Sequence, residues 1–373
     1  MKILLFDNTQ MIRRDGRLYC VEWTGKFAKE LVSLGNEVTM FGQNVDNPAS
    51  ISKFDIEANG IKTQSYRRGK IKVWDYLKLY FHALLTAFKF DFVYFFYPTS
   101  YSYFILLCSL FRIKYGLYIR GMVGVDSRLS KQLYRHASLV CTVSDAFTDK
   151  VNTVNNKRVA HTIKPMTPYS EKDIINREYR TPNSFNVMIL CRIEKDKGIS
   201  ELLNAVLQLK RHAKHRFHLN IVGDGGYLAD AKQIVESLGI KDKVSFVGAV
   251  NDEAKKQKWF EDSDIYILPT YHEGFPRTLY EAMIYGTPVI TTMVGGIPAL
   301  MKDGVNCLAI EKQSVSSIVE KLSYAMDHYE KMIQYALSAK STVSKVVDSQ
   351  RPSHAQDVNK ALNGITCHKK GIF

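Results

Sequence analysis

Short hydrophobic segments alternate along the chain with longer segments in which apolar residues recur every three or four positions. The first kind is typical of buried strands and the second of helices, so the pattern predicts βαβ units with parallel sheets. In the first half, a helix is predicted over 22–34, ended by Gly35, and another over 74–90. The prediction of the second helix is based on large apolar residues at helical spacing, namely Leu77, Phe81, Leu84 and Phe88. The predicted strands of this half have the sequences KILLFD, NEVTMFG, FDFVYFF, KYGLYIRG and SLVCTVS.

The periodicity stops near the middle of the chain, where Pro165, Pro168 and Pro182 surround a polar stretch that is typical of a linker. The alternation then resumes with the strand sequences NVMILCR, FHLNIVG, KVSFVG, DIYILPT and TPVITT. Two α/β halves of this kind predict ligand binding at the carboxyl ends of the strands. The predicted organisation is an N-terminal Rossmann-like domain over 1–165, a linker over 166–185, a C-terminal Rossmann-like domain over 186–348 and a helical tail over 349–373.

No charged residue occurs between Phe92 and Phe111, a stretch long enough to cross a bilayer. Pro98 and its polar neighbours interrupt this stretch, and its first part, FVYFFY, has the composition of a strand. We therefore expect a buried strand, a turn at 98–100 and a buried helix from about Tyr103, with a membrane-spanning helix as the alternative.

The composition is that of a folded globular protein, with 373 residues of which 46% are hydrophobic and 24% charged. The net charge is +14, and residues 1–180 carry 27 basic and 16 acidic side chains. Such a charge suggests a polyanionic partner: nucleic acid, an anionic membrane or a phosphorylated substrate. The six cysteines lack metal-site spacing, which favours a reducing compartment, and the N-terminal segment MKILLFDNTQ is predicted to be a strand rather than a signal peptide.

The segment EGFPRTLYEAM, residues 273–283, combines a loop with the start of a helix. Glu273 and Gly274 lie in the predicted loop, Pro276 is placed to open the helix, and Glu281 lies inside it. The backbone amides at 275–278 form a candidate anion site, because the N–H groups at a helix start are unpaired and the helix dipole is positive there. A carboxylate such as Glu281 can accept hydrogen bonds from both hydroxyls of a cis diol.

This segment and its continuation YGTPVI resemble the family-4 retaining glycosyltransferases of GT-B fold, also described as glycosyl transferases group 1 of bacterial polysaccharide type. The likeness covers most of residues 183–310. It implies two Rossmann-like domains with parallel sheets facing across a cleft. It also implies a nucleotide-diphosphate sugar, for instance a UDP-sugar, as co-substrate, with no metal and no other cofactor. Retention in this family is ascribed to same-face attack assisted by the leaving phosphate, so no protein nucleophile is implied.

The resemblance also assigns roles to residues of the C-terminal half. It implies that Glu281 binds the ribose hydroxyls and that Arg192 and Lys197 bind the diphosphate, where a planar fork and a point charge can stabilise a growing negative charge. Glu273, with the amides of Gly274 and Phe275, is expected at the donor sugar. The catalytic candidates are therefore Glu273, Lys197 and Arg192. The remaining donor-binding candidates are Pro276, Thr278, Leu279 and Gly223, the last in a glycine-rich turn.

The N-terminal half matches the family poorly. A Gly-Gly pair often follows the first strand in the family, whereas in this chain the predicted loop QMIRRDGRLY contains only Gly16. Arg120 stands where many members have a histidine. Gly16 and Arg120 are candidates for the acceptor or donor-sugar side, and the alternative for Arg120 is an ion pair at the end of the sheet. The tail helix, over about 349–362, is expected to return to the first domain.

A basic cluster in the first half leads directly into an aromatic amphipathic helix, which fits contact with an anionic membrane surface. The residues are Arg67, Arg68, Lys70, Lys72 and Trp74. The alternative is a solvated loop before a core helix. With the family resemblance, this cluster predicts a lipid-linked or glycan acceptor from cell-surface glycan synthesis. The expected location is cytoplasmic, peripheral on the inner face of the cytoplasmic membrane.

Three other functions have some support in the sequence. Asp262 and Asp264 have the spacing of a DxD metal motif, but an acidic residue before this strand is ordinary in the family, so no metal site is expected. A GT-B enzyme that only epimerises or hydrolyses a nucleotide sugar is the alternative within enzymes. A nucleic-acid-binding protein is the alternative outside them, but no zinc-finger spacing, RNP signature or basic helix-turn-helix occurs in the sequence.

Overall fold

The computed structural model describes residues 1–46, 52–67, 69, 72–120, 124–156, 158–167, 169–274 and 276–367. The chain divides into two compact units, and each consists of a sheet with helices packed on it. The first unit comprises Met1–Pro168 with Ser349–Phe373, and the second comprises Tyr169–Asp348.

The sheet of the first unit is built around seven parallel strands in the order β10-β9-β8-β7-β1-β4-β6. The strands of this unit are β1 Lys2–Phe6, β2 Met11–Arg14, β3 Arg17–Cys20, β4 Glu37–Asp46, β5 Phe54–Asp55, β6 Lys62–Arg67, β7 Phe92–Tyr97, β8 Tyr115–Ile119, β9 Leu139–Thr142 and β10 Ala160–Thr162. Its helices are α1 Glu22–Ser33, α2 Lys72–Ala87, α3 Ser102–Leu110, α4 Arg128–His136, α5 Asp145–Asn155 and, from the tail, α12 His354–Cys367. The prediction of a strand followed by a helix over 92–111 is confirmed by β7, all of whose residues are buried, and by α3. No helix among the described residues has the length and apolar character needed to cross a membrane.

The segment predicted to be the loop QMIRRDGRLY is instead a β-hairpin. Strands β2 and β3 pair antiparallel, with Ile12 opposite Tyr19. Asp15 and Gly16 form the turn, and both have positive φ, at 49° and 75°. An Asp-Gly pair is favoured in such a two-residue turn because both positions are left-handed, which explains why this segment forms a hairpin. Gly16 is therefore required by the turn conformation.

Helix α2 confirms the helix predicted over 74–90, and the structure places it at Lys72–Ala87. Three of the four apolar residues on which that prediction rests, Leu77, Phe81 and Phe88, are exposed, and the buried face consists of Leu79, Ala83 and Ala87. The helix has apolar residues on two opposite sides, and the side that carries small alanines packs against the core of the unit.

The second unit contains six parallel strands in the order β13-β12-β11-β14-β15-β16. The strands are β11 Phe185–Leu190, β12 Phe217–Val222, β13 Val244–Gly248, β14 Ile265–Leu268, β15 Val289–Thr292 and β16 Leu308–Ile310. The helices are α6 Ile199–His212, α7 Leu228–Ser237, α8 Glu253–Asp262, α9 Arg277–Ile284, α10 Val315–Asp327 and α11 Tyr329–Val347. The order of strands along the chain reverses at β11 and β14, which creates a switch point where ligands bind in folds of this kind.

The segment predicted to be a linker, 166–185, packs on the second unit from Tyr169 onward, whereas Pro168 lies outside the described residues. The guanidinium of Arg177 donates to the carbonyl oxygens of Phe260 at 3.0 Å and Ser263 at 2.8 Å. The Tyr179 hydroxyl donates to the carbonyl oxygen of Gly286 at 2.8 Å. These contacts keep the start of the second unit fixed to its own helices.

Helix α12 packs on the first unit through a buried histidine near its start. His354 Nε2 lies 3.0 Å from the Tyr94 hydroxyl, and Nδ1 lies 2.9 Å from the carbonyl oxygen of Lys164. The ring also packs edge-on against Tyr118 and Phe27. Burial lowers the pKa of His354 to about 3, and the nearby positive charge of Arg120 acts in the same direction.

The buried His354 predicts a loss of stability in mild acid. The neutral ring is kept in the folded protein, whereas the unfolded chain takes up a proton near pH 6.5, so stability falls as the pH drops from 6.5 towards 3. The expected slope from this group is about 1.4 kcal/mol per pH unit. Denaturant unfolding at pH 7.5 and pH 5.5 should therefore show a smaller pH effect in His354→Gln than in the parent protein. The exposed His212→Gln is the matched control, and equal pH effects in all three proteins would contradict the assignment.

Candidate active site

Four loops meet at the carboxyl edge of the second sheet, after the adjacent strands β12, β11, β14 and β15. Three backbone hydrogen bonds join them. The N–H of Ile193 donates to the carbonyl oxygen of Asp224 at 2.9 Å, and the N–H of Tyr271 donates to that of Asp196 at 2.8 Å. The N–H of Gly296 donates to the carbonyl oxygen of Glu273 at 3.3 Å. The side chains carried by the loops are consequently held in fixed relative positions.

Two glycines allow these loops to pack without space between them. Gly223 has φ 143°, and a Cβ there would lie 1.9 Å from the carbonyl oxygen of Cys191. Gly295 has φ 58°, and a Cβ there would lie 1.8 Å from the carbonyl oxygen of Glu273. A side chain at either position would force the backbone apart, so Gly223 serves the packing of the β12 and β11 loops.

Lys197 and Glu273 are brought together across two of these loops. Lys197 ends a short 3-10 turn after β11, its residue is only 8% exposed, and its ammonium contacts the Glu273 carboxylate. Its Nζ also lies 3.6 Å from Asp196 Oδ2. Two residues that are 76 positions apart in the sequence thus form one partly buried ion pair at the sheet edge.

Arg192 belongs to the same loop as Lys197, and its side chain is exposed. Its neighbour Cys191 is partly buried, and burial raises the pKa of the thiol to about 12. The thiol is therefore protonated near neutral pH. This loop thus carries an exposed guanidinium on Arg192 and a fixed ammonium on Lys197.

Glu281 lies inside α9 and is 4% exposed, and one oxygen of its carboxylate has two polar partners. Its Oε1 accepts from the Tyr169 hydroxyl at 2.6 Å and from Lys256 Nζ at 3.2 Å. Lys256 lies on α8 and also contacts the exposed Glu253 at 2.9 Å. A buried carboxylate held by a phenol and an ammonium has a defined orientation and a balanced charge.

The ionisation of this cluster follows from its burial and its carboxylates. Burial alone disfavours the charge on Lys256, but Glu281 and Glu253 outweigh that effect and raise the pKa of the ammonium. Burial, followed by the charge of Glu281, raises the pKa of the Tyr169 hydroxyl. Both groups thus remain hydrogen-bond donors to Glu281 near neutral pH.

The other donor-binding candidates of this segment differ in their contacts: one has a polar partner and another lies in the hydrophobic core. Thr278 Oγ1 lies 2.6 Å from the hydroxyl of the buried Tyr266. Leu279 is part of the hydrophobic core, and its N–H donates to the carbonyl oxygen of Pro276, which occupies the N-cap position of α9. The side chain of Leu279 therefore contributes packing. Gly274 ends the described part of the loop, and Phe275 lies outside the described residues.

Arg120 and Gly16 belong to the first unit, separately from the residues above. Arg120 follows β8, its N–H donates to the carbonyl oxygen of Tyr97, and its guanidinium lies 4.7 Å from the centre of the Phe96 ring. Arg120 thus makes a cation–π contact at the end of the sheet.

Both aspartates of the DxD pair have partners within the protein. The Asp264 carboxylate accepts from the Asn186 N–H at 2.8 Å, and burial raises its pKa. Asp262 pairs with Lys258 at 2.9 Å on the surface of α8. Throughout the described residues, no group of three histidine, cysteine, aspartate or glutamate side chains is placed to hold a metal.

Sequence reasoning missed Tyr169 and Lys256 entirely. Tyr169 lies in the segment predicted to be a linker, and Lys256 lies in a lysine-rich helix, where one lysine cannot be told from another by spacing. His272 was also missed, although its Nε2 lies 3.4 Å from Asp196 Oδ2. Only the glutamate pattern pointed to this region, and it says nothing about the partners of each carboxylate.

Comparison with known proteins places these residues in a recognised domain. Residues 171–341 match the family Glycosyl transferases group 1, and this span contains Lys197, Glu273 and Glu281. An uncharacterised glycosyltransferase of Methanocaldococcus jannaschii is 27% identical over 180 residues, which is 48% of this chain and 45% of that protein. A Vi polysaccharide biosynthesis protein of Salmonella typhi is 34% identical over 121 residues, 32% of this chain and 20% of that protein. The chain thus spans less than half the length of these two relatives.

Solved structures show the fold of the whole chain. Anabaena HepE in complex with UDP has a TM-score of 0.70 at 18% identity, covering 99% of this chain and 100% of that one. The complex of the same protein with UDP-glucose has a TM-score of 0.65 at 17% identity, covering 100% of both. The predicted α/β fold of GT-B class, with two Rossmann-like domains, is confirmed. The family match does not support the alternative of an epimerase.

Proposed function

We propose that this protein is a retaining glycosyltransferase that moves a hexosyl group from a nucleotide-diphosphate sugar to an acceptor of cell-surface glycan synthesis. The observation that carries the proposal is the ion pair between the buried Lys197 and the partly buried Glu273, at the carboxyl edge of a domain matched to glycosyl transferases. An ammonium held at this edge is suited to stabilise a leaving phosphate.

The donor occupies the second unit in this proposal. Glu281 accepts hydrogen bonds from the ribose hydroxyls, with Tyr169 and Lys256 fixing the orientation of its carboxylate. Arg192 binds the diphosphate from its exposed position on the β11 loop, and Lys197 binds the phosphate that leaves. A UDP-sugar is the first choice of donor, because the HepE structures of the same fold hold UDP and UDP-glucose.

The chemical step uses charge stabilisation and needs no protein nucleophile. The acceptor hydroxyl attacks the anomeric carbon on the face from which the nucleoside diphosphate departs, and the leaving phosphate takes the hydroxyl proton. The bond from the anomeric carbon to the phosphate oxygen breaks as the new glycosidic bond forms. Glu273 contributes by positioning Lys197, and the negative charge that develops on the phosphate is met by Lys197 and Arg192.

The acceptor in this proposal is a lipid-linked or glycan intermediate, and the enzyme works at the inner face of the cytoplasmic membrane. The strongly basic first half of the chain supports an anionic surface or a lipid diphosphate as the partner of this half. The Vi polysaccharide relative supports a place in polysaccharide synthesis.

A panel of UDP-, GDP- and ADP-sugars tests the proposal directly. One class of donor should raise the melting temperature, since a ligand at a hundred times its dissociation constant stabilises the folded state by about 2.7 kcal/mol. Turnover of that donor with a lipid-diphosphate acceptor should then give a product whose anomeric configuration, read by NMR, is that of the donor. Failure of all donors to shift the melting temperature would contradict the proposal.

Metal independence is a separate prediction. Because Lys197 and Arg192 supply the positive charge, chelation by EDTA should leave the transfer rate unchanged within about twofold. The measurement is nucleotide release with EDTA and with added Mn²⁺. An activity that disappears in EDTA and returns with Mn²⁺ would show that a metal does this work.

A further inference from the structure

Helix α2 of the first unit carries a row of large apolar side chains that point to solvent. This row, which we call the apolar surface, consists of Trp74, Leu77, Phe81, Leu85 and Phe88 with Phe111 from the end of α3. The four residues on α2 and Phe88, which directly follows the helix, are 50–62% exposed. At 100° per residue the four helical residues project within an arc of about 80°, and they span about 17 Å.

This arrangement is not explained by the core of the unit. The opposite side of α2 already packs inward through Leu79, Ala83 and Ala87. The exposed row amounts to about 500 Å² of apolar surface, which is at the upper end of what a monomer exposes without a function.

The surface continues from α2 to α3. The rings of Phe88 and Phe111 meet edge to face, with centroids 6.0 Å apart. Leu110, next to Phe111, is also exposed. Two helices thus present one continuous face to a partner.

The segment of the chain that forms this face has an excess of positive charge. Residues 72–114 contain five basic and two acidic side chains. Lys89 follows Phe88 and Arg112 follows Phe111, so an exposed cation adjoins each member of the aromatic pair. Of the two acidic side chains, Asp91 is engaged with the backbone N–H of Lys2 at 2.7 Å.

We infer that the apolar surface rests on an anionic lipid bilayer, with α2 lying in the plane of the interface. Aromatic and leucine side chains enter the headgroup and acyl boundary while the flanking cations meet lipid phosphates. A symmetric contact between two copies would place the basic residues of both copies together, which is unfavourable. The basic cluster that the sequence suggested contributes less directly, because Arg67 pairs with Asp46 at 2.6 Å, and Arg68 and Lys70 lie outside the described residues.

Flotation of the full chain with vesicles tests this inference. Phosphatidylcholine vesicles and vesicles of equal parts phosphatidylcholine and phosphatidylglycerol should differ, with strong binding only to the second. The double variant Phe81→Ser/Phe88→Ser should reduce that binding by about tenfold or more. Leu337→Ser on α11, a leucine of similar exposure at 51%, is the matched control and should bind like the parent.

Two further measurements make the result decisive. Brominated lipids should quench Trp74, so quenching should be largely lost in Trp74→Phe, and added salt should weaken binding. Circular dichroism and thermal melting establish that the variants are folded. Equal flotation of the parent and the double variant, or a dimer of the parent that the double variant dissolves without any vesicle binding, would overturn the inference.

This inference deepens the proposed function by identifying the surface that contacts the membrane. It rests on the proposed function in one respect, because the lipid-linked acceptor is what gives a membrane contact its role. Flotation needs no donor and no turnover. A protein that binds donors but not vesicles therefore refutes the membrane surface alone, and one that binds vesicles but no donor refutes the proposed function alone.

Discussion

Replacing Lys197 with alanine is expected to lower the rate of sugar transfer by about a hundredfold or more. The ammonium is almost buried and is held by Glu273, so its charge acts on a leaving phosphate with little screening by water. Its removal takes away stabilisation that grows in the transition state, and it also leaves the Glu273 carboxylate without its partner. The rate constant at saturating donor is the measurement.

The same loop offers a matched control for this experiment. Lys195 lies two positions away and is exposed, so Lys195→Ala should retain the parent rate within about twofold. Glu273→Gln keeps the shape of the partner but releases Lys197, and we expect an intermediate rate. Parent-like turnover in Lys197→Ala would remove this residue from the catalytic role.

The second large effect is expected from Glu281→Gln, which should weaken donor binding by about ten- to a hundredfold and change the saturated rate much less. A carboxylate accepts two hydroxyl hydrogen bonds, whereas an amide offers one acceptor and a donor. The change also removes the charge that holds Lys256 in place. Calorimetry with UDP gives the dissociation constant.

A nucleotide analogue makes the test specific for ribose recognition. If Glu281 accepts from the ribose hydroxyls, 2′-deoxy-UDP should bind the parent protein more weakly than UDP, and this difference should shrink in Glu281→Gln. Glu253→Gln is the control, because Glu253 contacts the same lysine from an exposed position. An undiminished preference for UDP in Glu281→Gln would assign the ribose to another residue.

Much of this architecture follows from local sequence patterns. Parallel strands buried on both faces produce continuous apolar runs, so β1, β4, β7, β8 and β9 of the first sheet and β11 to β15 of the second were recognisable, as was the helix that starts beside Pro276. The short or partly exposed strands β5, β6, β10 and β16 were not. The meeting of Lys197 and Glu273 could be anticipated, since both follow the ends of strands at one edge of a sheet. The partners of Glu281 could not, because Tyr169 and Lys256 reach it from 112 and 25 positions away.

The sequence of α2 indicated a helix but not which side of it is buried. Its apolar residues satisfy helical periodicity on opposite sides, and only the packing of Ala83 and Ala87 decides which side is inward. In the segment around Gly16, four-residue strands are too short to produce a clear alternation, and the Asp15–Gly16 turn carries the signal. Periodicity identifies the element, whereas its orientation depends on contacts that are distant in sequence.

The return of α12 to the first unit has a consequence for the order in which the protein forms during synthesis. Residues 169–348 are contiguous, so the second unit has all of its sequence once Asp348 has left the ribosome. The first unit is translated earlier but lacks the segment that brings His354 to Tyr94 and Ser353 to Glu30. The half made first is therefore completed last, and the part of its core that α12 covers stays open until translation has reached the tail.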